Sequence, residues 1–166
     1  MFAMIAQDTL LTTMPAHARV WVYKSAEPFT PAELALIADR GAAFTSNWAA
    51  HGAPLFATVD VLHMHFLVIA VDEEQAKASG CSIDKSVHFV KQLEHDLGRS
   101  LTDRMVVVFE VDGLPRTCRV EEIDDLLDDG VLHADTLVFD DLVTTKGDLD
   151  LRFRTPLKDT WLERFL

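Results

Sequence analysis

Basic residues are scarce in this chain. Fifteen Lys and Arg stand against 27 Asp and Glu over 166 residues, a net charge of −12. Nucleic acid binding needs a basic footprint to neutralise phosphates, and the sequence shows none. Long apolar runs are missing too. No stretch reaches the roughly 18 residues a membrane span requires, so no membrane partner is expected. Cysteine is limited to Cys81 and Cys118. Two thiols make no disulfide framework, and a reducing, cytoplasmic setting is the expectation. The first residues, Met1 to Asp8, lack a basic segment, and Asp8 interrupts their apolar run, which argues against a signal peptide. Repeats, low-complexity tracts and linkers are absent, so residues 1–166 read as one domain.

What is present is acidic and skewed. Eighteen Asp accompany nine Glu, and Glu121, Glu122, Asp124, Asp125, Asp128 and Asp129 form one cluster. Two readings stay open. A salt-adapted surface keeps acidic groups hydrated while salt screens their repulsion. A solvated acidic face is the other.

Hydrophobic periodicity divides the chain. Residues 1–17 are a lead-in. Arg19 to Tyr23 alternates as a strand with large apolar side chains on both faces. Thr30-Pro31-Ala32-Glu33 combines an N-cap, a proline at the first helical position and a capping-box glutamate. That helix is expected to run to His51-Gly52. Phe56–Val61 and His65–Val71 read as strands joined by a turn with no Gly or Asn to mark it. Ser82 to Leu97 reads as a helix with Ile83, Val87, Val90, Leu93 and Leu97 as its buried stripe, stopped by Gly98. Met105–Val111 is a strand, and Asp112-Gly113 turns it towards an edge strand at 116–119. Val120 to Asp129 is an acidic helix, Thr136–Phe139 a brief strand, Asp140 to Asp150 a loop, and the tail from Thr155 a short helix.

The order over residues 18–111 is strand, helix, strand, strand, helix, strand. That is the ferredoxin-like split unit, an α+β fold with an antiparallel sheet and both helices on one face. Residues 112–166 form a C-terminal extension in this reading. An α/β fold with mixed strands is the alternative.

Several segments carry candidate chemistry. Gly80-Cys81-Ser82 sits where the second helix begins, and unpaired backbone N–H groups there favour anions and thiolates. Cys81 is a candidate nucleophile, with Asp72 as a nearby acid or base. Gly80 and Ser82 are candidate anion-binding residues, with Thr144, Thr145 and Lys146 of the later loop opposite them. Gly80 to Ser86 has the length and the Lys-Ser ending of a phosphate loop. Asp84, however, stands where the glycine before the lysine belongs, which excludes a working triphosphate cradle. His63 and His65 alternate on one strand with Asp60 as the nearest third ligand. No further His or Cys completes the set by spacing, so no metal site and no cofactor are assigned.

Six segments together resemble a family of small bacterial proteins commonly labelled "ABC transporter ATPase". They are Val20–Ser25, Trp48–Leu55, Val71–Glu73, Ser79–Val87, Val143–Gly147 and Pro156–Trp161. The resemblance covers nearly the whole chain in order and implies Gly80–Asp84, Thr144–Gly147 and the Trp161 tail as marked regions. The chain departs from the family at Asp140-Asp141 and at Leu162, where the family tends to have Asn and His. The residues do not support the label. There is no intact phosphate loop and no Leu-Ser-Gly-Gly signature, so transporter ATPase activity is not expected. The expectation is a small binding or interaction module taking a small anionic ligand at the Gly80–Ser82 helix start. The alternatives are a thiol-dependent enzyme using Cys81, and a homo-oligomer built on an apolar sheet face.

Overall fold

The computed structural model describes residues 9–166, so the reading of Met1 to Asp8 falls outside the described residues. The fold is mixed, with antiparallel sheets and helices. A short helix, α1 (Leu10–Thr13), precedes β1 (Arg19–Lys24) and α2 (Pro31–Ser46). A small hairpin, β2 (Ala49–Ala50) and β3 (Ala53–Pro54), leads into β4 (Phe56–Leu62), β5 (Phe66–Asp72) and α3 (Gly80–Leu97). The rest comprises β6 (Val106–Val111), β7 (Leu114–Arg119), α4 (Ile123–Asp128), β8 (Leu137–Phe139), α5 (Lys146–Arg152) and β9 (Arg154–Pro156). Two 3-10 turns, Leu157–Asp159 and Trp161–Phe165, close the chain.

The uninterrupted apolar run of β5 dictates its place. Such a strand must be buried on both faces, and Phe66 to Val71 are fully buried between β1 and β4. One face packs Leu67, Ile69, Val71, Trp21 and Tyr23 under α2 and α3. The other packs Phe66, Val68, Ala70 and Val20 against Val108 and Phe139 of the second sheet and Phe153 at the end of α5. That sheet, in the order β7-β6-β8-β9, has a third core behind it around Ile123, Leu132, Leu157 and Leu162.

The antiparallel α+β expectation holds, and three strands of the split unit lie in the order β1-β5-β4. The fourth does not join them. β6 pairs with β7 and β8 instead. The outer edge of β1 is closed by loops: Val20 N–H donates to the Thr144 carbonyl (2.9 Å) and Lys24 N–H to the Leu101 carbonyl (3.1 Å). The apolar sheet face required by the oligomer reading is covered, by helices on one side and by the second sheet on the other.

Local chemistry explains most boundaries. The capping box forms as read: Glu33 N–H donates to Thr30 Oγ1 (3.2 Å) and Thr30 N–H to Glu33 Oε2 (2.8 Å). α2 ends at Ser46, short of His51, because His51 (φ 50°) and Gly52 (φ 81°) form the two-residue turn of the β2-β3 hairpin. The turn between β4 and β5 is His63-Met64, with φ of 50° and 61°. Non-glycine residues seldom occupy that region, and Met less readily than His. Tertiary contacts hold it there: Phe29 N–H donates to the Met64 carbonyl and Ser25 N–H to the His65 carbonyl, both at 2.7 Å. α3 is rotated from its expected face. Ser82, Ser86, Val90 and Leu93 are buried, and Val87 is exposed. Trp48 is the cause. Its indole N–H donates to the Ser82 carbonyl (2.8 Å), and only small side chains leave room for the ring there.

Residues 140–150 are not a loop throughout. Thr145 caps α5 by accepting the Asp148 N–H (3.1 Å), and Gly147 lies close to Ala16. A Cβ on Gly147 would stand 3.2 Å from the Ala16 carbonyl oxygen, so the glycine serves close approach rather than a flexible loop. Leu151 and Arg152 belong to this helix, and the next strand, β9, begins at Arg154.

Candidate functional site

Cys81 lies exposed in the first turn of α3. Among the described residues no His or carboxylate hydrogen-bonds its thiol, so the base that a thiol-dependent enzyme needs is missing from the geometry. Cys118 is the opposite case: burial first, and Glu122 second, push its thiol up to about 11, which keeps it protonated. Gly80 to Ser86 is continuous helix, with Ser82 N–H already donating to the Ser79 hydroxyl (3.2 Å). A phosphate cradle therefore has no free loop backbone here.

Lys146 is held within its own helix. It is 6% exposed, and its ammonium is held by both oxygens of Asp150 at 2.6 Å. Thr144 and Thr145 line a different cavity, with His17, Arg19 and Glu73. Asp72 closes that neighbourhood through His17, whose Nε2 is 3.2 Å from Asp72 Oδ1. The structure thus gathers Asp72, Thr144 and Thr145 at one end of β1, and leaves Gly80, Cys81 and Ser82 elsewhere. His63, His65 and Asp60 do not converge either. The His63 ring packs at a 51° tilt against Phe139 (4.7 Å between centroids), and His65 is buried with Nδ1 donating to the Ser25 carbonyl (2.9 Å). Asp60 takes the Thr58 hydroxyl (3.0 Å), and its burial lifts its carboxyl above the ordinary range.

A further cleft lies at the other end of β1. It has a volume of about 500 Å³ and is lined by Val22, Tyr23, Lys24, Leu101, Thr102, Asp103, Arg104, Asp141, Leu142 and Trp161. Lys24 is 8% exposed, and its Nζ sits 2.8 Å from Asp141 Oδ2. An ammonium has three donors and, among the described residues, one carboxylate partner here, which leaves donors for a further acceptor. The wall at 100–104 is fixed from behind. Glu94 Oε2 accepts the Leu101 N–H (2.8 Å), the Thr102 hydroxyl (3.0 Å) and the Ser100 hydroxyl (3.3 Å). Asp103 accepts the Met105 N–H (2.9 Å) and Arg119 Nη1 (3.0 Å). Those contacts, the backbone one foremost, hold its carboxyl below the usual range. Burial, with Glu94 second, raises the Tyr23 phenol.

The rim supplies the remaining chemistry. Arg104 is exposed and has no ion pair among the described residues. Trp161 carries the Arg164 guanidinium over its ring at 4.8 Å and presents a partly exposed indole to the cleft. Sequence reasoning singled out Trp161 and missed Lys24, Asp141 and Arg104. A signal for Lys24 was present: it shares a face with Val20 and Val22, where a lysine must be paired or reach a cavity.

No family model matches the chain, and comparison with curated proteins and with solved structures returns no match. Among the described residues, no helix is long and apolar enough to cross a membrane.

Proposed function

We propose that this protein is a small-ligand-binding module, and that the Lys24–Trp161 cleft takes a small anionic molecule with an apolar or aromatic portion. The observation that carries the reading is the buried Lys24 ammonium with, among the described residues, a single carboxylate partner on a cleft of about 500 Å³. Cavities of that size suit small molecules. Arg104 adds a second cation, and Trp161 and Leu142 supply apolar surface. The ligand class is the one expected from the sequence; the site moves from the Gly80–Ser82 turn to the C-terminal end of β1.

Kinship stays within the same proposal. The order β1-β5-β4 with α2 and α3 on one face supports descent from a ferredoxin-like unit, with residues 112–166 added to it. Three of the segments that resemble the small bacterial family, at 20–25, 143–147 and 156–161, lie along the outer edge of β1 or beside its cleft. That placement supports membership without lending support to the transporter label.

The test is a thermal-shift and NMR titration with benzoate, indole-3-acetate and phenyl phosphate. Saturable binding is expected, with shift changes at Tyr23, Leu101–Arg104 and Trp161. Arg104→Gln and Trp161→Leu should each weaken it at least fivefold, and Cys81→Ser should not. Absence of saturable binding, or binding indifferent to both rim variants, overturns the reading.

A further inference from the structure

The N-terminal end of β1 carries a different set of groups. The register of β1 on β5 pairs Arg19 with Val71, so the residues before β1 meet the residues that end β5. His17, Asp72 and Glu74 converge there, each offering one ligand atom, and these atoms all lie within 4.8 Å of one another. His17 Nε2 and Asp72 Oδ1 are 3.2 Å apart. Two ligands on one tetrahedral ion, each about 2.0–2.1 Å from it, stand about 3.3 Å apart. We propose that His17, Asp72 and Glu74 form a binding site for a divalent first-row transition metal ion.

Charge and rigidity both favour it. The Glu74 carboxylate has no hydrogen-bond or ion-pair partner among the described residues. The local cation, Arg19, is taken by Glu73 at 3.9 Å, so the charges of Asp72 and Glu74 remain available to a divalent ion. The Glu74 N–H donates to Asp72 Oδ1 (3.1 Å) and orients that carboxylate, as outer contacts do for metal ligands. His17 is braced on both sides. Gly147 N–H donates to the Ala16 carbonyl (2.9 Å) and Lys146 N–H to the Ala18 carbonyl (2.8 Å). The first turn of α5 thus pins the backbone around the imidazole, and Asp72 is the last residue of β5, with Glu74 two residues beyond it. One nitrogen and two carboxylate oxygens suit zinc, cobalt or manganese better than the all-oxygen shells of calcium and magnesium. Three protein ligands leave coordination positions open. His17 also lines the cavity of about 470 Å³ with Arg19, Thr144 and Thr145, a space that can admit a further ligand.

The experiment is equilibrium dialysis of Zn²⁺ against wild type, Cys81→Ser, His17→Ala and Glu74→Gln. A Mn²⁺ titration followed by NMR line broadening locates the ion. One saturable equivalent is expected in wild type and Cys81→Ser, weakened at least tenfold in each of the other two. Broadening should centre on residues 16–19 and 71–75. His17 and Glu74 are exposed, and circular dichroism checks that their variants fold. The proposal is overturned by an absence of saturable binding. It is equally overturned by binding unchanged in His17→Ala and Glu74→Gln, or by broadening centred on the acidic residues 121–129.

Discussion

At its Lys24 end, the outer edge of β1 is closed by residues 101–104 and Asp141, and the charge brought inside is compensated one for one. At its Arg19 end, the same edge is closed by Thr144 and Thr145, and acid is left over. The first end buries an ammonium against a carboxylate within a wall that Glu94 and Asp103 hold rigid. The second leaves His17 and Glu74 open to solvent. One strand edge, left unpaired by β6, therefore carries two clefts of opposite character. The difference lies in cost. A charge at the buried end needs its partner for the protein to fold, whereas groups at the open end are nearly free of that duty and are available to a ligand.

Removing Asp141 breaks this comparison hardest. Asp141→Asn leaves the Lys24 ammonium buried without its counter-charge, and the loss expected is about 3 kcal/mol, the low end of the range because water reaches the cleft. Urea denaturation measures it. Lys24→Met combined with Asp141→Leu should recover most of the loss, because the desolvation penalty disappears with the charges. A single variant as stable as wild type would show that the pair is solvated and the two ends alike.

Glu94 comes next. Glu94→Ala removes the acceptor for three groups of the 100–102 segment, and about 1–2 kcal/mol should be lost. The wall of the cleft should loosen in the same step, seen as faster amide exchange at Leu101 and Thr102. Unchanged exchange would mean that Glu94 does not set the shape of the cleft.

Acid should weaken the Lys24 end through Asp103. The Asp103 carboxyl is held below its ordinary range in the folded chain, chiefly by the Met105 N–H and then by Arg119. The stability this supplies is present above the unfolded carboxyl value of about 4 and is lost as pH falls through the lowered folded value. A denaturation series from pH 5 downwards should show that slope, and Asp103→Asn should flatten part of it. An identical slope in the variant would remove Asp103 from the account.

What the sequence made legible follows from how local each signal is. The Thr30 cap, the Gly98 stop and the Asp112-Gly113 turn each depend on a few neighbouring residues, and each lies where the pattern puts it. The His63-Met64 turn carries no such signal, since the contacts that stabilise it come from Phe29 and Ser25, more than thirty residues away. The rotation of α3 likewise depends on Trp48. Asp72, Thr144 and Thr145 were visible as residue types that carry chemistry. Their common neighbourhood was not, because it depends on β1 having a loop rather than a strand on its outer edge. Lys146 was open in sequence, as a lone cation that either balances the acids around it or reaches an anionic ligand; the helical turn places Asp150 against it at i+4.

The smallest expected effect is at His17. In metal-free buffer, His17→Ala should leave the unfolding free energy within about 0.5 kcal/mol of wild type, because an exposed pair is screened and gives back in side-chain entropy much of what it gains. The His17 side chain is 60% exposed, against 9% for Lys24, so the two ends of β1 should differ severalfold in what they lose when a charged partner is removed. Denaturation of His17→Ala beside Asp141→Asn under one set of conditions reads that ratio directly. A loss at His17 comparable to that at Asp141 would make the His17–Asp72 contact a structural ion pair, and an ion would then have to compete with folding for the same groups. A negligible loss leaves the imidazole and both carboxylates uncommitted, which is the condition a metal ion needs in order to bind without unfolding the strand ends that present its ligands.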